Sequence, residues 1–144
     1  MTTKIALFLL ILTVGGLSGC KTTRVQLLSA AEPGMFKVVI LYPGGEGKTF
    51  DMSYYEQKHM PMVAGMLGEN LRFYEIDKGI SGRTTADKTP FLAIGYFYVA
   101  SIDEYNKAVA TNRDAIVSDF KNYTNTQPVI QIAEIKAIVN PKSK

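Results

Sequence analysis

The chain has 144 residues, 47% of them hydrophobic and 20% charged, enough for one globular domain and too few for two ordinary ones. Collagen-like, coiled-coil and wholly disordered readings are excluded by that composition, and a formal charge of +3 gives no support for a nucleic-acid partner. One cysteine and one histidine exclude an internal disulfide framework and any Cys-rich or His-rich metal site, so no metal is expected.

Lys4 and the unbroken apolar run from Ile5 to Val14 match the n-region and h-region of a secretory signal. A spanning helix needs about 20 apolar residues, and Gly15 and Gly16 interrupt the run well short of that. Leu17-Ser18-Gly19-Cys20 then resembles the bacterial lipobox, which implies cleavage before Cys20 and a diacylglycerol on its sulfur. The expected organisation is a lipoprotein signal peptide at 1–19, a lipidated Cys20 with a flexible tether at 20–34, a folded domain at 35–139 and a short tail at 140–144. Dual or triple acylation anchors stably where one chain binds only marginally, so the membrane is an expected partner through Cys20. Lys21 stands where an Asp would signal inner-membrane retention, which favours the periplasmic side of an outer membrane in a cell that has one.

Phe36 to Tyr42 is nearly continuous apolar and β-branched sequence and reads as a strand buried on both faces. Asp51 is placed as a helix N-cap, with Phe50 and Tyr55 as a hydrophobic staple around it. The helix that follows puts Tyr55, His59, Met62, Val63 and Met66 on one stripe, is kinked or divided at Pro61, and stops at Gly68. Leu71, Phe73, Tyr74 and Ile76 mark a second strand, and Phe91 to Val99 a third that is again apolar on both faces. Ser101 and Glu104 form a capping box for a second helix, continued at helical spacing through Ile102, Tyr105, Val109, Asn112, Ile116 and Phe120. Val129 to Val139 reads as a fourth strand whose apolar side switches midway, as at a bulge.

Strand, helix, strand, strand, helix, strand is the ferredoxin-like βαββαβ order: an α+β fold with an antiparallel four-stranded sheet and two helices on one face. The second face of such a sheet would be a wet apolar patch in a monomer, so a homodimer packing sheet against sheet is expected, with an apolar cavity left between sheet and helices, ahead of the alternative that the tether or a heterologous partner covers that face.

His59 is the only side chain that titrates near neutrality, and it sits on the buried stripe. It reads either as a general base held neutral by burial or as a hydrogen-bonded core histidine. Tyr123 to Pro128 groups five polar residues before an apolar strand, which suits either the mouth of a ligand cavity or a well-capped turn. Gly47-Lys48-Thr49 is not a phosphate loop, because Tyr42 stands where that pattern needs a glycine.

Residues 41–68 (LYPGGEGKTFDMSYYEQKHMPMVAGMLG) with 122–135 (NYTNTQPVIQIAEI) resemble the EthD family, named from ethyl tert-butyl ether degradation gene clusters. The resemblance covers essentially all of 35–139 and implies a dimeric α/β-barrel. It also implies His59 as a catalytic residue and Tyr55, Tyr123, Thr124 and Gln127 as substrate-binding residues, since these fall on the family's motif positions. The activity so implied is a cofactor-free oxidoreductase of monooxygenase type, or an isomerase, acting on a small apolar compound. A non-enzymatic ligand-binding or structural envelope lipoprotein is the alternative.

Overall fold

The computed structural model describes residues 31–139. The expected signal peptide, Cys20, most of the tether and the tail at 140–144 lie outside the described residues. Four strands, β1 (Phe36–Pro43), β2 (Leu71–Lys78), β3 (Phe91–Val99) and β4 (Val129–Glu134), make one sheet. Its order is β2-β3-β1-β4, with every neighbouring pair antiparallel. With one helical segment after β1 and one after β3, this is the ferredoxin-like α+β fold that the element order predicts.

The first helical segment runs through α1 (Met52–Tyr54), a π-helical turn (Tyr55–His59) and α2 (Met60–Leu67). Its N-cap is Asp51, whose carboxylate accepts from the Tyr54 backbone N–H at 3.0 Å, and the rings of Phe50 and Tyr55 close the staple at 5.0 Å. Pro61 divides the segment as expected. Lacking an N–H, it cannot bond the carbonyl four residues back, and the Met60 N–H reaches Tyr55 O, five back, instead. That wider turn brings Tyr55, His59 and Met60 all against the sheet. The stripe expected on regular α-helical spacing is corrected accordingly: Met60, Val63 and Leu67 are core, whereas Met62 and Met66 are half-buried. Gly68 caps α2 at a φ of 55° that an L side chain rarely adopts.

The second helical segment begins with the expected capping box, Ser101 Oγ accepting from the Glu104 N–H at 3.3 Å. It is not one continuous helix. Asn112 (φ −108°, ψ 14°) separates α3 (Ile102–Thr111) from α4 (Arg113–Asp119), its side-chain amide drawn back to the Ala108 carbonyl at 2.8 Å. The fourth strand is also shorter than expected. β4 pairs with β1 without a register shift and ends at Glu134, after which Ile135 exchanges backbone bonds with Met35 and Gly34. Ile138 and Val139 then stand exposed outside the sheet, so the apolar switch marks the end of pairing and not a bulge.

Val38, Ile40 and Tyr42 of β1 and Ala93, Phe97 and Val99 of β3 point to the helices and, with Tyr55, Met60, Val63, Leu67 and Tyr105, form the core. The alternate residues Val39, Leu41, Leu92 and Ile94 point to the other face, which no helix of the described residues covers. Lys37 lies over the rings of Tyr96 and Tyr98 on that same face, at 5.5 and 5.1 Å.

Candidate functional site

The π-helical turn delivers His59 to the core at 4% exposure, facing the last turn of α4. His59 Nδ1 lies 2.8 Å from Asp119 Oδ2. The other carboxylate oxygen accepts from the Tyr54 hydroxyl at 2.8 Å and the Asn122 amide at 2.7 Å. On the far side of the ring, the Tyr123 hydroxyl lies 3.2 Å from His59 Nε2, and the Tyr42 hydroxyl 2.8 Å from that of Tyr123. Among the described residues no buried side-chain nitrogen or oxygen is left without a partner, as a polar chain inside a core requires.

The carboxylate at Nδ1 assigns the proton to that nitrogen and leaves Nε2 as an acceptor for Tyr123. Tyr42 then donates to Tyr123, and Tyr55 is oriented toward Tyr42 in the same sense. Burial holds the imidazole below its ordinary pKa of 6.5, outweighing the opposing pull of Asp119. Asp119 is held below its ordinary value of 3.8: burial raises it, but bonds from His59, Asn122 and Tyr54 together outweigh that. Desolvation pushes Tyr42, Tyr55 and Tyr123 far above the ordinary phenol value. The neutral imidazole is therefore the basic group of the cluster, and the tyrosines are neutral donors and acceptors.

Beside this chain is a cavity of about 60 Å³ between sheet and helices. Tyr42, Tyr55, Tyr105 and His59 are the lining residues that carry polar groups, and Val63, Phe97, Ile116 and Ile130 belong to its apolar wall. Ile130 is 55% exposed, so the cavity opens between β4 and α4. Loop stitching fixes the other side of the site. The Asp51 N–H donates to Tyr123 O at 2.7 Å, Thr124 Oγ1 to Thr49 O at 2.9 Å, and the Asn125 amide to Gly47 O at 2.9 Å.

Of the residues singled out from sequence, His59 and Tyr55 line the cavity and Tyr123 is bonded to His59 behind its wall. Thr124 and Gln127 are not brought to it: Thr124 is used in the stitch to Thr49, and Gln127 is exposed. Sequence reasoning missed Asp119, Tyr42, Tyr54 and Asn122. A buried histidine needs a partner, and Asp119 with Asn122 one turn on is a spacing that could have been searched for it. Tyr42 was read as the last residue of an apolar strand, inside the segment that carries the family resemblance, and was given no role. Among the described residues no cluster of three or more His, Cys, Asp or Glu side chains could hold a metal ion.

The EthD domain model matches residues 43–127. An EthD-like protein from Ralstonia eutropha is 34% identical, with 78% of this chain and 100% of that one covered and a TM-score of 0.70. An ethyl tert-butyl ether (EthD) family protein from Bacillus halodurans shares the fold at 18% identity, over 69% of this chain and 97% of the other, with a TM-score of 0.53. No curated protein matches the chain.

Proposed function

Because the chain belongs to the EthD family, we propose that it binds one small, neutral, largely apolar molecule in the cavity beside His59 and transfers a proton from it. The carrying observation is the Asp119–His59–Tyr123–Tyr42 chain ending at an apolar cavity. His59 is the base, and Asp119 at 2.8 Å stabilises the imidazolium that forms. Returning the proton at another atom of the ligand gives an isomerisation with no co-reactant, and an oxygenase of the same design takes dioxygen as its oxidant once the ligand anion is formed. Proton abstraction is common to both. The protein further works as a homodimer through the uncovered sheet face and is held in the cell envelope through Cys20. The first is supported by Val39, Leu41, Leu92 and Ile94 on that face, the second by the lipobox-like Leu17-Ser18-Gly19-Cys20.

A second reading, a non-enzymatic binding protein, is favoured by one observation: both ring nitrogens of His59 already have partners. The two separate on the ligand recovered with the full chain from its host envelope and identified by native mass spectrometry. Deuterium exchange into the C–H positions of that ligand is followed in D₂O with the wild-type chain and with His59→Gln. A catalyst exchanges and the variant binds without exchanging. Equal exchange in both proteins sinks the proton-transfer reading.

A further inference from the structure

In the resting arrangement His59 offers a ligand no free ring nitrogen. Asp119 occupies Nδ1 at 2.8 Å and the Tyr123 hydroxyl occupies Nε2 at 3.2 Å. Tyr123 is 3% exposed and does not line the cavity, whereas Tyr42 and Tyr55 do. The two phenol oxygens of Tyr42 and Tyr123 are 2.8 Å apart, a distance across which a proton passes within one hydrogen bond.

Resting on the reading of the cavity as a small-molecule site, we propose that the Tyr42 hydroxyl, with Tyr55 beside it, is the group that meets the ligand, and that the proton reaches His59 through Tyr123. The ligand class follows from the wall. Apart from His59 it contains no titratable side chain other than phenols, so an anionic or cationic ligand would be buried without a counter-charge. A cavity of about 60 Å³ that opens at Ile130 admits the hydroxyl end of a compact molecule and lets its remainder lie toward the mouth. The ligand is therefore a neutral phenol or enol with a single weakly acidic O–H.

The step balances within the site. The ligand O–H bond breaks and its proton bonds to the Tyr42 oxygen; the former Tyr42 proton moves to the Tyr123 oxygen; the former Tyr123 proton moves to His59 Nε2. The products are a ligand oxyanion hydrogen-bonded to Tyr42 and an imidazolium paired with Asp119. No tyrosinate is left, as is required where burial holds all three phenols far above their ordinary range. Tyr42 is a catalytic residue in this scheme, and Tyr123 a relay that the ligand never touches.

The probe is 4-nitrophenol, whose phenolate is coloured, added to the purified full chain below the probe's own pKa. The wild-type chain should raise the ionised fraction of bound probe above that of probe bound to a chain whose relay is broken, the imidazolium paired with Asp119 offsetting the desolvation that otherwise disfavours a buried phenolate. Tyr42→Phe and Tyr123→Phe should bind it without that rise, and Tyr123→Phe, altered behind the wall, should keep the Kd within about twofold. Because the chain has one histidine, its ¹⁵N signals report the other half of the transfer: Nε2 becomes protonated on saturation in the wild type and not in the two phenylalanine variants. If both variants ionise the probe as the wild type does, His59 meets the ligand directly and the relay is overturned. If the wild-type chain binds no probe, the relay falls together with the small-molecule reading of the cavity.

Discussion

Gly95 carries a prediction that tests the geometry of the cluster without any ligand. It lies on β3 opposite Ile40 of β1, and a Cβ built there would overlap the Tyr55 hydroxyl oxygen, far inside the 3.0 Å that real Cβ atoms keep. The same Cβ would lie only 3.4 Å from Tyr55 Cζ and from Met60 Sδ, so the clash is with one atom, the phenol oxygen. Tyr55 cannot swing clear, because its ring is held among Phe50, Tyr123, Tyr42 and His59 at centroid distances of 5.0, 5.2, 5.3 and 5.5 Å. Gly95→Ala therefore overpacks a rigid site and should cost about 1–3 kcal/mol. Tyr55→Phe removes the clashing atom and should by itself cost about 1 kcal/mol for the lost hydrogen bond. In the double variant the alanine meets only the ring Cζ of residue 55 and Met60 Sδ, both at 3.4 Å, so the two losses should fail to add by about 1–2 kcal/mol in the favourable direction. Urea unfolding of the four proteins, with m unchanged, measures the coupling. Strict additivity would show that the Tyr55 hydroxyl does not rest on Gly95, and would refute the placement of this ring at the end of the chain.

Acid should destabilise the fold through His59. Its folded pKa lies below the ordinary 6.5, so the unfolded chain protonates first. Stability is then full above about pH 6.5 and falls as pH drops toward the folded value, by at most about 1.4 kcal/mol per pH unit for one proton. Asp119, depressed below 3.8, has the same sign but acts only at lower pH. Unfolding midpoints of the wild type and His59→Gln between about pH 7 and pH 4.5 decide this: the variant should lose the slope, and parallel curves would refute the buried neutral imidazole. Leu41 stands between Ile94 of β3 and Val129 of β4 in register on the uncovered face. The full chain should sediment as a dimer and Leu41→Glu as a monomer with unchanged circular dichroism; a wild-type monomer would remove the homodimer. Cys20→Ala should move the chain from the membrane to the soluble fraction, and unchanged fractionation would exclude the lipid anchor.

The strands and caps were legible because each is written locally. Phe36–Pro43 and Phe91–Val99 are apolar, β-branched runs between turn residues, and Asp51 and Ser101 cap by accepting from backbone N–H groups three residues on. What escaped was set by bonds that local pattern does not encode. The break at Asn112 depends on one side-chain amide reaching Ala108 O, and the end of β4 on where Met35 stops offering partners. In the site, His59 was legible as the one side chain that titrates near neutrality, set on an apolar stripe, but its partners lie 60 and 64 residues away, a separation at which periodicity carries no information. Thr124 and Gln127 were expected at the site from the family resemblance alone; in the structure Thr124 bonds Thr49 and Gln127 faces solvent.

The same chain of contacts bears on why the polar cluster is there. A core selected for stability alone has a cheaper solution at these positions: phenylalanine at 42 and 123 and apolar residues at 59 and 119 remove the desolvation of a histidine, a carboxylate and two phenols. The fold instead spends its irregular backbone on the cluster. The π-helical turn made by Pro61 turns Tyr55, His59 and Met60 inward together, and the Asp51–Tyr123 and Thr49–Thr124 stitches fix the segment that carries Tyr123. Tyr54 and Asn122 contribute nothing to the apolar cavity wall, yet both hold the oxygen of Asp119 that His59 does not use, fixing the carboxylate along the axis of the imidazole. Orientation of that kind matters little to packing and a great deal to proton transfer, where the acceptor must be aligned before the proton moves.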